Sequence, residues 1–265
     1  MSKVIVITGA GSGLGRALAR RFANDGERVI LLGRNMATLR RTAGKLGDRA
    51  TCLECDVRSP QAVRKAFAEI AGRFPTIDAL INNAAMIEYS TVTDASDEHI
   101  FDMINTNLIG SILCARAAVP LIRRGGHIIN VSSGTVDRHF PGLALYATTK
   151  AGLDRFTAAL AAEVKDQDIC VTVVRASQMS TRRDPKTIGT EFSSHTATAL
   201  KFGKDPRGYP TSTYTSVTSV FRAIIDFPPD VGTVTIGFYP RPLPPGVSAP
   251  PDLEDLDEDA DSMDA

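Results

Sequence analysis

The 265-residue chain contains no tryptophan, four cysteines and only 6% aromatic residues. Four cysteines in a chain of this length do not make a disulfide framework, and a reducing compartment is the expectation. Apolar runs are short, Val4-Ile5-Val6-Ile7 being typical, whereas a membrane span needs about 20 apolar residues. No spanning helix is therefore expected. The N-terminus enters an apolar run after Met1-Ser2-Lys3 with no small-residue cleavage site behind it, so no secretory signal is read and a cytoplasmic location is expected. Net charge is also absent, but that zero hides an asymmetry. Residues 252–265 hold eight acids and no Lys or Arg, leaving 30 basic against 22 acidic groups, a formal +8, in the other 251 residues. The basic residues are scattered and aromatics do not interleave with them, so no nucleic-acid partner is expected. The tail reads as a solvated, disordered segment.

What the sequence has is alternation. β-Branched or apolar runs stand at 3–8, 28–32, 50–57, 78–82, 127–132, 169–175 and 231–236. Helical patterns lie between them at about 13–25, 35–46, 59–73, 97–119, 145–165 and 211–226, the third opened by Ser59-Pro60. Near-continuous apolar strands fit a sheet buried on both faces. The expected fold is α/β: a Rossmann-like doubly wound parallel sheet of seven strands with helices on both faces. One domain is expected over 1–240. Residues 177–210 have weak periodicity with several Gly and Pro and read as a substrate lid. Residues 238–251 hold six prolines and read as an extended arm leading to the acidic tail; 241–265 is taken as arm plus tail.

Thr8-Gly9-Ala10-Gly11-Ser12-Gly13-Leu14-Gly15 follows the first strand and opens the first helix. Glycines let backbone amides approach a pyrophosphate, and the helix N-terminus adds partial positive charge. Leu32-Gly33-Arg34-Asn35 ends the second strand. An acidic residue there would accept hydrogen bonds from a ribose; Arg34 instead suits a 2′-phosphate and can stack on adenine. Arg16, near the glycine loop, is read as a surface residue. Tyr146-Ala147-Thr148-Thr149-Lys150 places a phenol and an ammonium one turn apart on one helix face. A fixed positive charge beside a phenol lowers its pKa, which suits acid–base work near neutrality. Cys52 and Cys55 form a C-x-x-C inside a strand. Residues three apart on a strand face opposite sides, so no metal site is expected there.

Thr8 to Gly15 with T-G-x-x-x-G-x-G spacing, Asn82-Asn83-Ala84 after the fourth strand, Asp56-Val57 after the third, Ser133, and Tyr146 with Lys150 together resemble the short-chain dehydrogenase/reductase family. The resemblance covers about 3–175 strongly and 211–237 weakly. It implies an oxidoreductase moving a hydride between NADP(H) and a small-molecule ketone or secondary alcohol, more often as a reductase. In that picture Tyr146 gives or takes the proton, Lys150 lowers its pKa and hydrogen-bonds the nicotinamide ribose, and Ser133 orients the substrate oxygen, with Ser132 as the adjacent alternative. Asn107, in Asn105-Thr106-Asn107-Leu108, supports a relay water. Thr8, Gly9, Gly11, Ser12, Gly13, Leu14, Gly15, Arg34, Asn35, Asp56, Val57, Asn83, Ala84 and Thr181 line the cofactor, Asp56 on adenine and Thr181 on the carboxamide. Homodimers or homotetramers are implied, built through the helices carrying Asn107 and Tyr146. Two departures stand out. Ala85 replaces the glycine after Asn-Asn-Ala, and Ala176-Ser177 replaces the Pro-Gly after strand six. The second leaves room for an alternative, a catalytically weak NADP(H)-binding regulator on the same fold.

Overall fold

The computed structural model describes residues 2–44, 46–180, 211–228, 231–232 and 234–242. Seven strands form one parallel sheet: β1 Val4–Thr8, β2 Arg28–Gly33, β3 Ala50–Glu54, β4 Ile77–Asn82, β5 Ile122–Ser133, β6 Cys170–Ala176 and β9 Thr235–Gly237. Their order is β3-β2-β1-β4-β5-β6-β9. The chain therefore reverses direction between β1 and β4, and the carboxyl ends of these two strands open a crevice at the switch point.

The apolar runs explain the two-sided burial. Ile5 and Ile7 point into one cluster with Leu18 and Phe22 of α1 (Gly13–Asn24), whereas Val6 points into the other. That other cluster takes in Phe67 of α3 (Pro60–Arg73) and Leu113 of α5 (Gly110–Ala118). Period-two side-chain alternation thus feeds both layers from a single V-I-V-I run. Cys52 packs on the first cluster and Cys55 lies in the second, on opposite faces as their spacing requires. Side-chain caps set the helix starts. Asn35 accepts from the N–H groups of Ala37 and Thr38 to open α2 (Met36–Ala43), and Ser59 accepts from Ala62 N–H ahead of Pro60.

The remaining helices are α4 (Asp97–Ile104), α6 (Ala144–Glu163) and α7 (Tyr214–Ile225). A π turn at Asn105–Ile109 joins α4 to α5. Asp97–Leu121 is, among the described residues, one helical stretch long and apolar enough by composition to cross a membrane. Its apolar residues are interrupted along the chain, which is why no long run is visible. In this fold its buried side, with Met103, Asn107 and Cys114, packs against α6 and β4.

Three boundaries differ from the sequence reading. β5 starts at Ile122, because Ile77 pairs with Ile122 and Ala79 with His127, and the intervening Arg123–Gly126 bulges out of register. β3 stops at Glu54, and the last strand of the sheet is shifted to Thr235–Gly237. Two short strands, β7 (Met179–Ser180) and β8 (Ser212–Thr213), pair in parallel at the feet of the expected lid. Residues 181–210, including Thr181, and the acidic tail lie outside the described residues.

His127 on β5 is 9% exposed, and its Nε2 lies 2.8 Å from the Thr172 hydroxyl. Burial pushes its pKa down to about 4, so the ring is neutral at pH 7. An unfolded His titrates near 6.5, so between that value and about 4 the unfolded chain binds the extra proton and stability falls with pH. Acidification through this window costs about 3 kcal/mol through His127 alone. In thermal melts across pH 4–7, His127→Gln is expected to flatten this part of the pH dependence.

Candidate active site

The crevice is built from the glycine loop outward. Gly9 has φ +66°, and a Cβ on it would lie 2.9 Å from Ala84 Cα. A Cβ on Gly15 would stand 2.3 Å from the Gly9 carbonyl oxygen and 2.6 Å from Asn83 Nδ2. The loop and the Asn83-Ala84 segment therefore interlock at a distance only glycine allows. Polar contacts lock the same seam. The Thr8 hydroxyl accepts from Asn83 N–H and Ala84 N–H, both at 2.9 Å, and Asn83 Nδ2 donates to Thr8 O at 2.9 Å. The first bond of α1 runs from Arg16 N–H to Ser12 O, so the amides before it are left facing out of the helix end. Ser12 sits at the cap position and Leu14 is buried beneath. Such an end, kept open by glycines, fits the pyrophosphate of a dinucleotide. Arg16 is a correction: it is half-buried, and its Nη2 donates to Gly11 O at 2.8 Å, latching the loop.

The adenosine side is more committed than the sequence reading expected. Arg34 is exposed at the end of β2, and Asn35 spends its side chain capping α2. Asp56 accepts from Arg58 N–H at 3.0 Å and from the Arg58 guanidinium at 2.9–3.1 Å; Arg58 Nη1 also reaches Asp102 at 2.8 Å. Burial raises the Asp56 carboxyl, but the bonds from Arg58, aided by the charges of Arg58 and Arg34, hold it below the ordinary value. Val57 is buried against Gly110. Arg58 was missed in the sequence, although Asp56-Val57-Arg58-Ser59 has the makings of an Asx turn, in which Asp56 would bond two residues on.

The second half of the site lies at the end of β5 and on α6. Strand alternation separates the two serines. The Ser132 hydroxyl donates inward to Lys150 O at 3.3 Å, whereas the Ser133 hydroxyl, on the opposite face, accepts from Thr135 N–H at 3.2 Å and acts to lower the pKa of the Tyr146 phenol. The second of the two is therefore the one facing the phenol. Lys150 is 2% exposed, its Nζ lies 5.8 Å from the Tyr146 ring centroid, and it donates to Val131 O at 2.8 Å. Phenol and ammonium share one face of α6. Asn107 sits in the π turn, fully buried. Its Oδ1 accepts from Met86 N–H at 2.8 Å, and its Nδ2 donates to Met86 O at 2.9 Å and to the Thr149 hydroxyl at 3.1 Å. It ties the loop after β4 to α6, one residue from Lys150. π Turns recur at functional sites because they re-aim one side chain.

One electrostatic expectation is corrected. Burial raises the Tyr146 phenol above the ordinary tyrosine value; the Ser133 hydrogen bond lowers it, and the nearby Tyr89 phenol raises it further. The Lys150 charge is not what sets this phenol. Desolvation pushes the ammonium itself down to about 8, and its Nζ is turned to a backbone carbonyl. Tyr89 was also missed, since a lone tyrosine in a loop carries no sequence signal.

The Pro-Gly departure has a local consequence. Proline cannot donate to a ladder. Ala176 carries β6 onward, paired with Ser133. Ser177 follows beside Gly134, and Met179–Ser180 then pairs with Ser212–Thr213.

This arrangement has known counterparts. A sequence profile described as short chain dehydrogenase matches residues 3–190. Carbonyl reductase family member 4 of Danio rerio is 35% identical over 176 residues, 66% of this chain and 74% of the relative. A 3beta-hydroxysteroid dehydrogenase of Mediterraneibacter gnavus is 32% identical over 209 residues, 77% of this chain and 75% of the relative. Among solved structures, the closed form of serine dehydrogenase complexed with NADP+ superposes with TM-score 0.78 at 26% identity, over 93% of this chain and 98% of that one. The chain belongs to the short-chain dehydrogenase/reductase family, a family of oxidoreductases that use a nicotinamide cofactor.

A lysine ammonium held out of water is costly. With the folded pKa near 8 and the ordinary value at 10.5, the unfolded chain binds the extra proton between them. The penalty is full below pH 8 and fades as pH rises to 10.5. Lys150→Met is therefore expected to stabilise the protein at pH 7 by up to about 3 kcal/mol, with the gain gone above pH 10.5, as read by chemical denaturation.

Proposed function

We infer that the protein is an NADP(H)-dependent oxidoreductase interconverting a ketone and a secondary alcohol, with Tyr146 as general acid–base. The observation that carries this reading is the placement of Tyr146 and Lys150 on one face of α6, the ammonium 5.8 Å from the centroid of the phenol ring, at the end of the strand that carries Ser133. When bound, the nicotinamide ring supplies or accepts the hydride. Gly9, Gly11, Gly13 and Gly15 leave the backbone open to its pyrophosphate, and Thr8 with Asn83-Ala84 fixes that opening. Arg34 reaches for a 2′-phosphate, and Asp56 and Val57 border the adenine.

In the reducing direction the Tyr146 O–H donates its proton to the substrate oxygen, while Ser133 hydrogen-bonds the same oxygen and holds it in line. A phenol raised by burial is in its protonated form at pH 7, the form that donates to a carbonyl oxygen. Lys150 holds the positive charge that steadies phenolate as it forms. Asn107 keeps the loop after β4 and α6 in fixed relation. Relatives with reductase names, such as carbonyl reductase family member 4, support this direction. The NADP+ of the serine dehydrogenase structure supports the cofactor choice. Phe101 is 62% and Ile109 38% exposed on the helical stretch carrying Asn107, which supports assembly as a homodimer or homotetramer through that face.

NADPH consumption over a panel of carbonyl compounds tests the activity. Tyr146→Phe is expected to lower kcat about 10³-fold while NADPH binding persists; tight NADPH binding with no turnover in the wild type would instead favour the regulatory alternative. Arg34→Asp is expected to weaken NADP binding roughly 30–100-fold relative to NAD, read by fluorescence titration with both cofactors.

A further inference from the structure

α6 carries a polar stripe of Tyr146, Lys150 and Asp154, each one turn beyond the last. The first two belong to the site above, and the third has no place in it so far. The Asp154 side chain is 11% exposed. Its Oδ2 accepts from Arg175 Nε at 2.6 Å, and its Oδ1 is buried with no hydrogen-bond partner among the described residues. Arg175, on β6, also donates from Nη1 to both carboxylate oxygens of Asp137, at 2.8 and 3.1 Å, in the turn that follows Ser133. One guanidinium therefore joins α6, the turn after β5 and the end of β6.

A buried carboxylate oxygen without a donor is tolerated where a positive charge lies close by. The charged and titratable groups that face Lys150 on α6 are Tyr146 and Asp154; Arg175 on β6 and Asp137 after β5 join through Asp154, and Tyr89 after β4 through Tyr146. We propose that Asp154 is the counter-ion of Lys150 and that Arg175 is the strut fixing it, a positioning pair that keeps the active-site lysine charged inside the protein. This rests on the reading of Lys150 as part of the active site. Burial drives the ammonium toward its neutral form, and Asp154 is the group whose charge opposes that drive.

The test is an NMR titration of the full chain with ¹³Cε-labelled lysine, the Lys150 signal being assigned by its loss in Lys150→Arg. The wild-type midpoint is expected near 8. Asp154→Asn is expected to lower it by about one pH unit, and Asp154→Glu to restore it. A midpoint in Asp154→Asn within about 0.2 unit of wild type overturns the pairing. Asp154→Asn leaves Arg175 bound to Asp137, which favours folding. Should it still fail to fold, Asp154→Ser is the second variant, expected to lower the midpoint in the same direction; no movement overturns the proposal. The titration needs no substrate, so wild-type protein inactive on every carbonyl would overturn the function proposed above and leave this result standing.

Discussion

An ammonium sealed between α6 and β5 is the constraint around which the candidate active site is arranged. Lys150 has water on no side and one strong acceptor, the Val131 carbonyl. Everything near it serves to hold that arrangement. Ser132 bonds the lysine's own carbonyl, Asn107 grips the residue before it through Thr149, and Ser133 on the next strand position holds the phenol. A site that stores an unfavourable charge must be rigid, and here the rigidity comes from backbone acceptors and short side chains that cannot reorient cheaply. The desolvation that makes Lys150 costly also keeps the Tyr146 phenol protonated, so one physical cause sets both members of the pair.

The nucleotide half obeys a different rule, that of close approach. Gly9 and Gly15 matter for what they lack, and Thr8 and Asn83 matter because they hold two loops together at that separation. These are contacts between segments about 75 residues apart in the chain. They join the ends of β1 and β4, the two strands flanking the switch point.

The parallel sheet with helices on both faces was readable because V-I-V-I and similar runs admit few other burials, and the start of α3 was readable where Ser59 and Pro60 act within a few residues of themselves. The fused Tyr146–Lys150 spacing was readable for the same local reason. What escaped the sequence was set by tertiary surroundings. No periodicity announces that Lys150 turns to a carbonyl on β5, that burial sets the Tyr146 phenol, or that Arg16 folds back on Gly11. The bulge before His127 is read from its pairing with β4, and it is accommodated by Gly125, at φ +72°, and Gly126, where a Cβ would lie 2.5 Å from Ile122 Cγ2. Ala176 shows the converse: a departure from the expected Pro-Gly that looked like a loss proves to be one more rung of sheet beside Ser133.

Met179–Ser180 and Ser212–Thr213 lie side by side, so residues 181–210 leave and re-enter the domain at a single stapled point. Lengthening or recomposing an excursion whose ends are already pinned changes closure entropy only logarithmically. Neither β6 nor α7 would be tugged by such a change. The two short paired strands thus decouple the length of that connection from the sheet and helix on either side of it, a modular arrangement well suited to grafting by design.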